Sequence, residues 1–130
     1  MILAKATVTG ATGYAQDITT GHHALKSDEP VSLGGTDSGP APYQLLLAAL
    51  GSCTSITLRM YAERKGWELG TVRVALAMTR DDAGAESVLR EISVSAPIDD
   101  DQRARLLEIA GRTPVTKTLL KGFAIDSRFV

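Results

Sequence analysis

The chain has 130 residues and a net charge of −1, with fourteen basic residues balanced by fifteen acidic ones. That length predicts one domain over residues 1–130, and the balanced charge excludes the basic stripe that nucleic acid or an anionic membrane surface would need. The hydrophobic fraction of 44% is typical of globular proteins, so we expect an ordered core.

The first third of the chain has the pattern of short strands. The stretch LAKATVTG, residues 3–10, alternates loosely, and QDITTGHHALKSDEP, residues 16–30, predicts two strands around a turn at Gly21. Residues 34–42, GGTDSGPAP, then break regular structure and introduce the next element.

A long helix follows, because Pro42 fits a first helical turn and Gly66 stands after two cations, where helices end. Residues 45–50 are apolar on every side, which predicts a helix buried on all its faces. Gly51 costs a helix about 1 kcal/mol relative to alanine, so we expect another helix to approach closely there. At 100° per residue, the predicted core-facing stripe comprises Leu46, Leu50, Cys53, Ile56, Thr57 and Met60.

After Gly70, two alternating stretches predict a hairpin with a longer loop. The first is TVRVALAMT, residues 71–79, and the second is VLREISVSAP, residues 88–97. Both have the period of two that half-buried strands show.

The last part of the chain predicts two helices and a closing strand. Asp99 and Gln102 have the spacing of a capping box, and the helix they start ends before Gly111. Thr113 suits the N-cap of a short helix, and residues 122–130, GFAIDSRFV, are predicted to form a strand. The resulting order, β-β-β-α-β-β-α-α-β, is that of an α+β domain with largely antiparallel pairing.

The single cysteine, Cys53, excludes an internal disulfide framework and favours a reducing compartment. MILAKATVTG at the start of the chain lacks the pattern of a signal peptide. The longest apolar run, residues 45–50, is shorter than the roughly 20 residues that span a bilayer. We therefore expect a cytoplasmic protein without a membrane segment.

Local sequence leaves two interpretations of Cys53 open. Arg59 is the nearest cation along the helix, and it lies about 120° around the axis from the cysteine. Cys53 is therefore either a small buried hydrophobe or a reactive thiol whose activating cation the fold supplies.

No metal or cofactor is predicted. His22 and His23 are adjacent in a predicted strand, so their side chains point to opposite faces and cannot share one metal ion. No cysteine or histidine spacing of a known metal site occurs. The glycine-rich loop at 34–42 lacks the Gly-Lys-Ser/Thr ending of a phosphate-binding loop.

Three motifs together resemble one known family. These are DEP at residues 28–30, the stretch from Gly34 to Trp67 containing LLLAALGSC, and R-x-P-V-x-K-T-L from Arg112. The chain is similar to the OsmC/Ohr family, named for osmotic induction and organic hydroperoxide resistance. The resemblance implies an OsmC-like fold, in which antiparallel sheet wraps around a long central helix and a second helix in an intertwined homodimer.

The resemblance also implies thiol chemistry in a pocket at the dimer interface. Cys53 matches the reactive cysteine, which attacks the O–O bond of a hydroperoxide and becomes a sulfenic acid. In the family a second cysteine condenses with it, and an external dithiol reduces the disulfide.

This chain departs from the family pattern in three places. Thr113 stands where the second cysteine is expected, so no internal disulfide can form. Tyr43, followed by Gln44, occupies the position of a carboxylate. The N-terminal strands contain no arginine, and Gln16 is their nearest polar candidate. Two further pocket candidates are Lys117 and Thr57.

The sequence is consistent with two functions, one enzymatic and one non-catalytic. The first is a stress-response enzyme that reduces organic hydroperoxides with one cysteine and an external thiol reductant. The second is a non-catalytic dimer of the same fold that binds a small hydrophobic ligand. We expect a homodimer in both cases.

Overall fold

A computed structural model describes residues 1–130, which form two compact units, 1–46 and 47–130. We call them the N-terminal unit and the C-terminal unit. The prediction of one domain over the whole chain stays a prediction.

The N-terminal unit is an antiparallel three-stranded sheet. Its strands are β1 (Thr7–Thr9), β2 (Gln16–Thr20) and β3 (His23–Ser27), paired in chain order. Gly21 turns the chain between β2 and β3 with φ +60°, a value that glycine adopts without strain. The strands predicted for this part of the chain are therefore confirmed.

A buried carboxylate organises the loop that follows β3. Asp28 is only 2% exposed, and its two carboxylate oxygens accept hydrogen bonds from Glu29, Thr36 and Ser38. A side chain at Gly35 would collide with the Glu29 carbonyl, because a Cβ there would lie 1.9 Å from that oxygen. The loop therefore requires both an acid at its base and a glycine at its tightest point.

Helix and hairpin elements make up the rest of the fold. The helix α1 (Pro42–Lys65) begins in the N-terminal unit and continues into the C-terminal unit. The hairpin pairs β4 (Val72–Arg80) with β5 (Glu86–Val94) in antiparallel register, and α2 (Asp100–Ala110) and α3 (Pro114–Lys121) follow it. This α+β order with antiparallel sheets confirms the predicted fold class.

The core of the C-terminal unit lies where α1 meets α2. Its buried side chains are Leu58, Ala62, Leu69, Leu106 and Ala110. Tyr61, Trp67 and inward-facing residues of the hairpin pack around them. Asp99 caps α2 through the predicted reciprocal bonds with Gln102.

The predicted core-facing stripe of α1 was wrong by about one residue. The buried positions are Leu50, Gly51, Thr54, Leu58 and Ala62, whereas Ile56 and Met60 are each 56% exposed and Cys53 is half-buried. The first turns of α1 are apolar all round, so the sequence offers little to decide which face turns inward. The prediction of burial on every face was also wrong for the single chain.

Two other expectations were corrected. Gly51 accommodates Leu76 of β4 rather than another helix, because a Cβ at Gly51 would lie 2.8 Å from the Leu76 Cδ1. Residues 122–130 form no strand, and Phe123, Ile125 and Phe129 in this segment are exposed. A strand needs a neighbouring edge to pair with, and the last residues pair with no edge of either sheet.

By length and composition α1 is apolar enough to cross a membrane. The central helix of a soluble protein passes the same test, so a single helix of this kind is weak evidence for a membrane span.

Candidate functional site

Cys53 lies in α1 at the flank of the buried stripe. Its side chain is half-buried and makes no disulfide. The next residue, Thr54, is fully buried and donates a hydrogen bond of 2.7 Å from Oγ1 to the Leu50 carbonyl in the preceding turn. The Thr54 hydroxyl oxygen is thereby left to accept a bond from another element.

Arg90 of β5 supplies that bond. Its Nη1 donates to Thr54 Oγ1 and to Thr116 Oγ1, each at 2.9 Å, and its Nη2 donates to the Ala110 carbonyl at 2.7 Å. The guanidinium thus connects α1 with the end of α2 and with α3. It is the cation that the fold brings to the residue next to Cys53.

Electrostatics links Arg90 with Cys53 directly. Burial lowers the pKa of the Arg90 guanidinium, whereas a thiolate at Cys53 acts in the opposite direction and favours its charged form. Arg90 forms no ion pair with a carboxylate. Its Nη2 instead meets the last residue of α2, Ala110, where the helix dipole places partial negative charge. Cys53 is therefore an ionisable group whose charge interacts with this cation.

Thr113, at the position of the expected second cysteine, belongs to the same network. It is fully buried and is the N-cap of α3. Its Oγ1 lies 2.6 Å from the Thr116 Oγ1, which also donates to the Ala110 carbonyl at 3.3 Å. A hydroxyl has thus replaced a thiol at a buried position that caps a helix.

A cavity of about 550 Å³ lies between the hairpin and the last two helices. Its polar lining includes Arg90, Thr116 and Glu86, and Glu86 pairs with Arg80 at 2.7 Å. Cys53 does not line it. The apolar lining consists of Leu50, Met78, Val88, Leu107, Leu119 and Leu120. Arg90 is therefore shared between the cavity and the surroundings of the thiol.

The other predicted site residues lie on several elements. Thr57 is half-buried on α1, and Lys117 is exposed on α3. Three candidates lie in the N-terminal unit. Tyr43 is exposed, Gln44 accepts a bond from the Ala41 N–H at 2.8 Å, and Gln16 donates to the Tyr14 carbonyl at 3.1 Å.

Arg90 is a candidate site residue that sequence reasoning missed. The signal was present, because Arg90, Ile92 and Val94 alternate along β5 and all three are half-buried. An arginine on the same face of a strand as the core-facing residues is partly buried, so its guanidinium needs polar partners inside the fold. The hairpin was predicted correctly, but the face on which Arg90 lies was not considered.

Histidine and acidic residues form no metal site in the structure. No group of three or more His, Cys, Asp or Glu side chains is placed to hold a metal ion. The rings of His22 and His23 lie 4.1 Å apart and are tilted by 38°. The prediction that they point to opposite faces of a strand was wrong, because His22 lies in the turn before β3.

The sequence motifs and this architecture agree with a family assignment. A family model described as "OsmC-like protein" matches residues 35–128, which include Cys53, Arg90 and Thr113. The chain belongs to the OsmC-like protein family.

Solved structures share the OsmC fold. A protein from Psychrobacter arcticus 273-4, assigned to osmotic stress induction and the detoxification response, has a TM-score of 0.77 at 20% identity, covering 91% of this chain and 88% of that one. An OsmC-like protein from Mycoplasma pneumoniae has a TM-score of 0.74 at 17% identity, with coverages of 90% and 86%. At these identities the likeness concerns the fold alone.

OhrB of Bacillus subtilis, an organic hydroperoxide resistance protein, has a TM-score of 0.62 at 22% identity and covers 90% of each chain. A search of curated proteins found no match. The OsmC-like chain therefore shares its fold with proteins of stress response and hydroperoxide resistance.

Proposed function

We propose that this OsmC-like protein reduces organic hydroperoxides in the cytoplasm with Cys53 as its only redox cysteine. The observation that carries the proposal is the position of Arg90, which binds the neighbour of Cys53 and interacts with the thiol electrostatically. A nearby cation stabilises a thiolate, and the thiolate is the nucleophilic form of cysteine. The fold shared with an organic hydroperoxide resistance protein supports the same chemistry.

The proposed reaction has two stages. The Cys53 thiolate attacks the terminal oxygen of ROOH, the O–O bond breaks, and the alkoxide leaves with the electron pair and takes a proton to become ROH. The resulting sulfenic acid reacts with an external low-molecular-weight thiol, releasing water and forming a mixed disulfide. A second thiol then attacks that disulfide and restores Cys53.

Thr113 makes the external thiol necessary. A hydroxyl does not condense with a sulfenic acid, so the oxidised Cys53 has no partner within its own chain. The product of the first stage therefore persists until a small thiol arrives. This difference separates the proposed one-cysteine route from the two-cysteine route of the family.

The cavity beside Arg90 supports an apolar substrate. Six of its lining residues are aliphatic side chains, and Arg90 lines it while also interacting with Cys53. Burial of the organic part of a hydroperoxide in this cavity is favoured by roughly 25 cal/mol for each Å² of apolar surface removed from water. The same cavity would disfavour hydrogen peroxide, which has no apolar part.

The experiment is peroxide consumption by the purified protein with cumene hydroperoxide and dithiothreitol. We expect Cys53→Ser to abolish turnover and Arg90→Met to lower it, because the substitution removes the positive charge that interacts with a thiolate at Cys53. Arg73→Met is the matched control, because Arg73 is an exposed arginine of β4.

Mass spectrometry after trapping with dimedone gives a second measurement. We expect a sulfenic-acid adduct on Cys53 in the wild type. The proposal is overturned by peroxide consumption that persists in Cys53→Ser, or by the absence of both turnover and adduct in the folded wild type.

A second candidate, a non-catalytic protein that binds a small hydrophobic ligand, is favoured by the size of the cavity and by Thr113. It predicts saturable binding of an apolar dye without peroxide turnover. Met78→Asp should weaken that binding, because it places a carboxylate at a half-buried position in the apolar wall of the cavity.

A further inference from the structure

We propose that Thr116 is a positioning residue, whose hydroxyl holds the Arg90 guanidinium against the part of α1 that carries Cys53. This inference rests on the proposed role of Arg90 toward the thiol. It concerns a residue to which the family resemblance gives no role in this chain, and it depends on contacts within the C-terminal unit alone.

The guanidinium of Arg90 is held by three hydrogen bonds. Both N–H groups of Nη1 are used, one toward Thr54 on α1 and the other toward Thr116 on α3. Nη2 uses one N–H toward the Ala110 carbonyl. Because the guanidinium is planar, three bonds to three different helices fix both its position and the orientation of its plane.

Thr116 links two of the hydrogen bonds of Arg90 into a ring. Its hydroxyl oxygen accepts from Arg90 Nη1, while its proton is directed to the same Ala110 carbonyl that accepts from Arg90 Nη2. The result is a closed ring of hydrogen bonds at the end of α2. Thr116 is 8% exposed, so water does not readily replace its hydroxyl.

Thr113 sets the direction of the hydroxyl of Thr116. The two oxygens lie 2.6 Å apart, and a Thr113 proton directed to Thr116 leaves the Thr116 proton free for the Ala110 carbonyl. Every hydroxyl proton of the pair then has an acceptor. The residue at the position of the second cysteine thus supports the arginine that faces the first.

Loss of the Thr116 hydroxyl would leave one Nη1 N–H unpaired beside apolar walls. An unpaired polar group of this kind is costly, so the guanidinium would turn toward the cavity and solvent. Its charge would then lie farther from Cys53 and in a medium of higher dielectric constant. Both changes weaken the stabilisation of a thiolate.

The test compares Thr116→Val, which has the same shape without the hydroxyl, with Thr116→Ser, which keeps it. The rate of Cys53 alkylation by iodoacetamide is measured from about pH 7 to about pH 10, where free thiols are largely ionised. We expect Thr116→Val to react about three- to tenfold more slowly at neutral pH and at the wild-type rate at high pH. Thr116→Ser should behave as the wild type.

Two controls separate positioning from stability. Thr118→Val makes the same change at an exposed position of α3 and should leave the alkylation profile unchanged. In an Arg90→Met background, Thr116→Val should produce no further loss, because Thr116 acts through the arginine. Melting temperatures of all variants show whether each one folds.

Distinct outcomes overturn distinct claims. If Thr116→Val is folded and has the wild-type profile while Arg90→Met is impaired, the positioning role is wrong and the role of Arg90 stands. If Arg90→Met also has the wild-type profile, the proposed role of Arg90 is wrong, and the inference about Thr116 fails with it. Since alkylation requires no peroxide, a lack of peroxide turnover alone would overturn only the proposed enzymatic function.

Discussion

The side chain of Asp28 holds the loop after β3 in its conformation. Hydrogen bonds from the side chain and backbone N–H of Ser38, and from Thr36 and Glu29, hold the pKa of its carboxyl well below the usual range. An asparagine could not reproduce these contacts, because the Oδ2 atom accepts four bonds and an amide nitrogen accepts none. The carboxylate form is therefore part of the loop structure.

We predict that Asp28→Asn lowers the melting temperature at neutral pH and that its difference from the wild type shrinks in acid. The folded-state pKa is depressed, so the stabilisation is present above about pH 4, the unfolded-state value, and is lost as the pH falls toward the folded-state value. Thermal unfolding between about pH 7 and pH 3 measures it. Asp82→Asn, an exposed turn carboxylate, is the control. A difference that stays constant across this range would contradict the prediction.

Arg90 and Cys53 differ in how readily each could be identified from the sequence. Cys53 could be singled out from the sequence because it is the only thiol and stands in a motif of the family. Arg90 could not, because its importance depends on Thr54, 36 residues away, and on Thr116, 26 residues away. No pattern among neighbouring residues in the sequence predicts a contact of this kind.

Among the elements, α1 and the hairpin pack through a glycine. Leu76 of β4 fills the space over Gly51, and Leu76 is the register partner of Arg90 on β5. The glycine therefore allows the hairpin to approach α1 at the point where Arg90 reaches Thr54. A larger residue at Gly51 would push β4 away from α1.

We predict that Gly51→Leu lowers the free energy of unfolding by about 1–3 kcal/mol, the range for overpacking a core. Gly51→Ala should be nearly neutral, since its gain in helix propensity offsets a small shift of the flexible end of Leu76. Urea unfolding measures both. Adding Leu76→Ala should relieve the cost of Gly51→Leu, and an unchanged cost in that background would show that Leu76 is not the obstacle.

In the whole molecule, apolar surface remains uncovered in the single chain. Ile56 and Met60 form an exposed apolar stripe on α1, and residues 122–130 carry exposed aromatic side chains without pairing to a sheet. A soluble protein seldom leaves this much apolar surface in water. These features support the proposed homodimer, in which a second copy covers both.

We predict a dimer in solution, with about twice the mass of one chain by light scattering. Ile56→Glu should shift it toward monomer, because the substitution would bury a charge in the proposed interface. Arg73→Glu, at an exposed site on β4, should leave the mass unchanged. A monodisperse wild-type monomer would contradict the prediction.

Patterns among neighbouring residues were enough to predict the local elements of this protein. Three early strands, the long helix, the hairpin and the capped helices were predictable, because caps such as Asp99 and Thr113 and the period of a strand are encoded within a few neighbouring residues. The family motif also identified Cys53 as the candidate thiol.

The surroundings of that thiol depend on contacts between elements that are distant in the sequence. The inward face of α1, the partner of Gly51 and the cation beside Cys53 all depend on which distant elements pack together. The apolar first turns of α1 do not indicate which face of the helix is buried. The position of an arginine in a strand does not indicate which helices its side chain will contact. Packing thus brought Arg90 to the residue next to Cys53 and placed Thr113 in the same hydrogen-bond network.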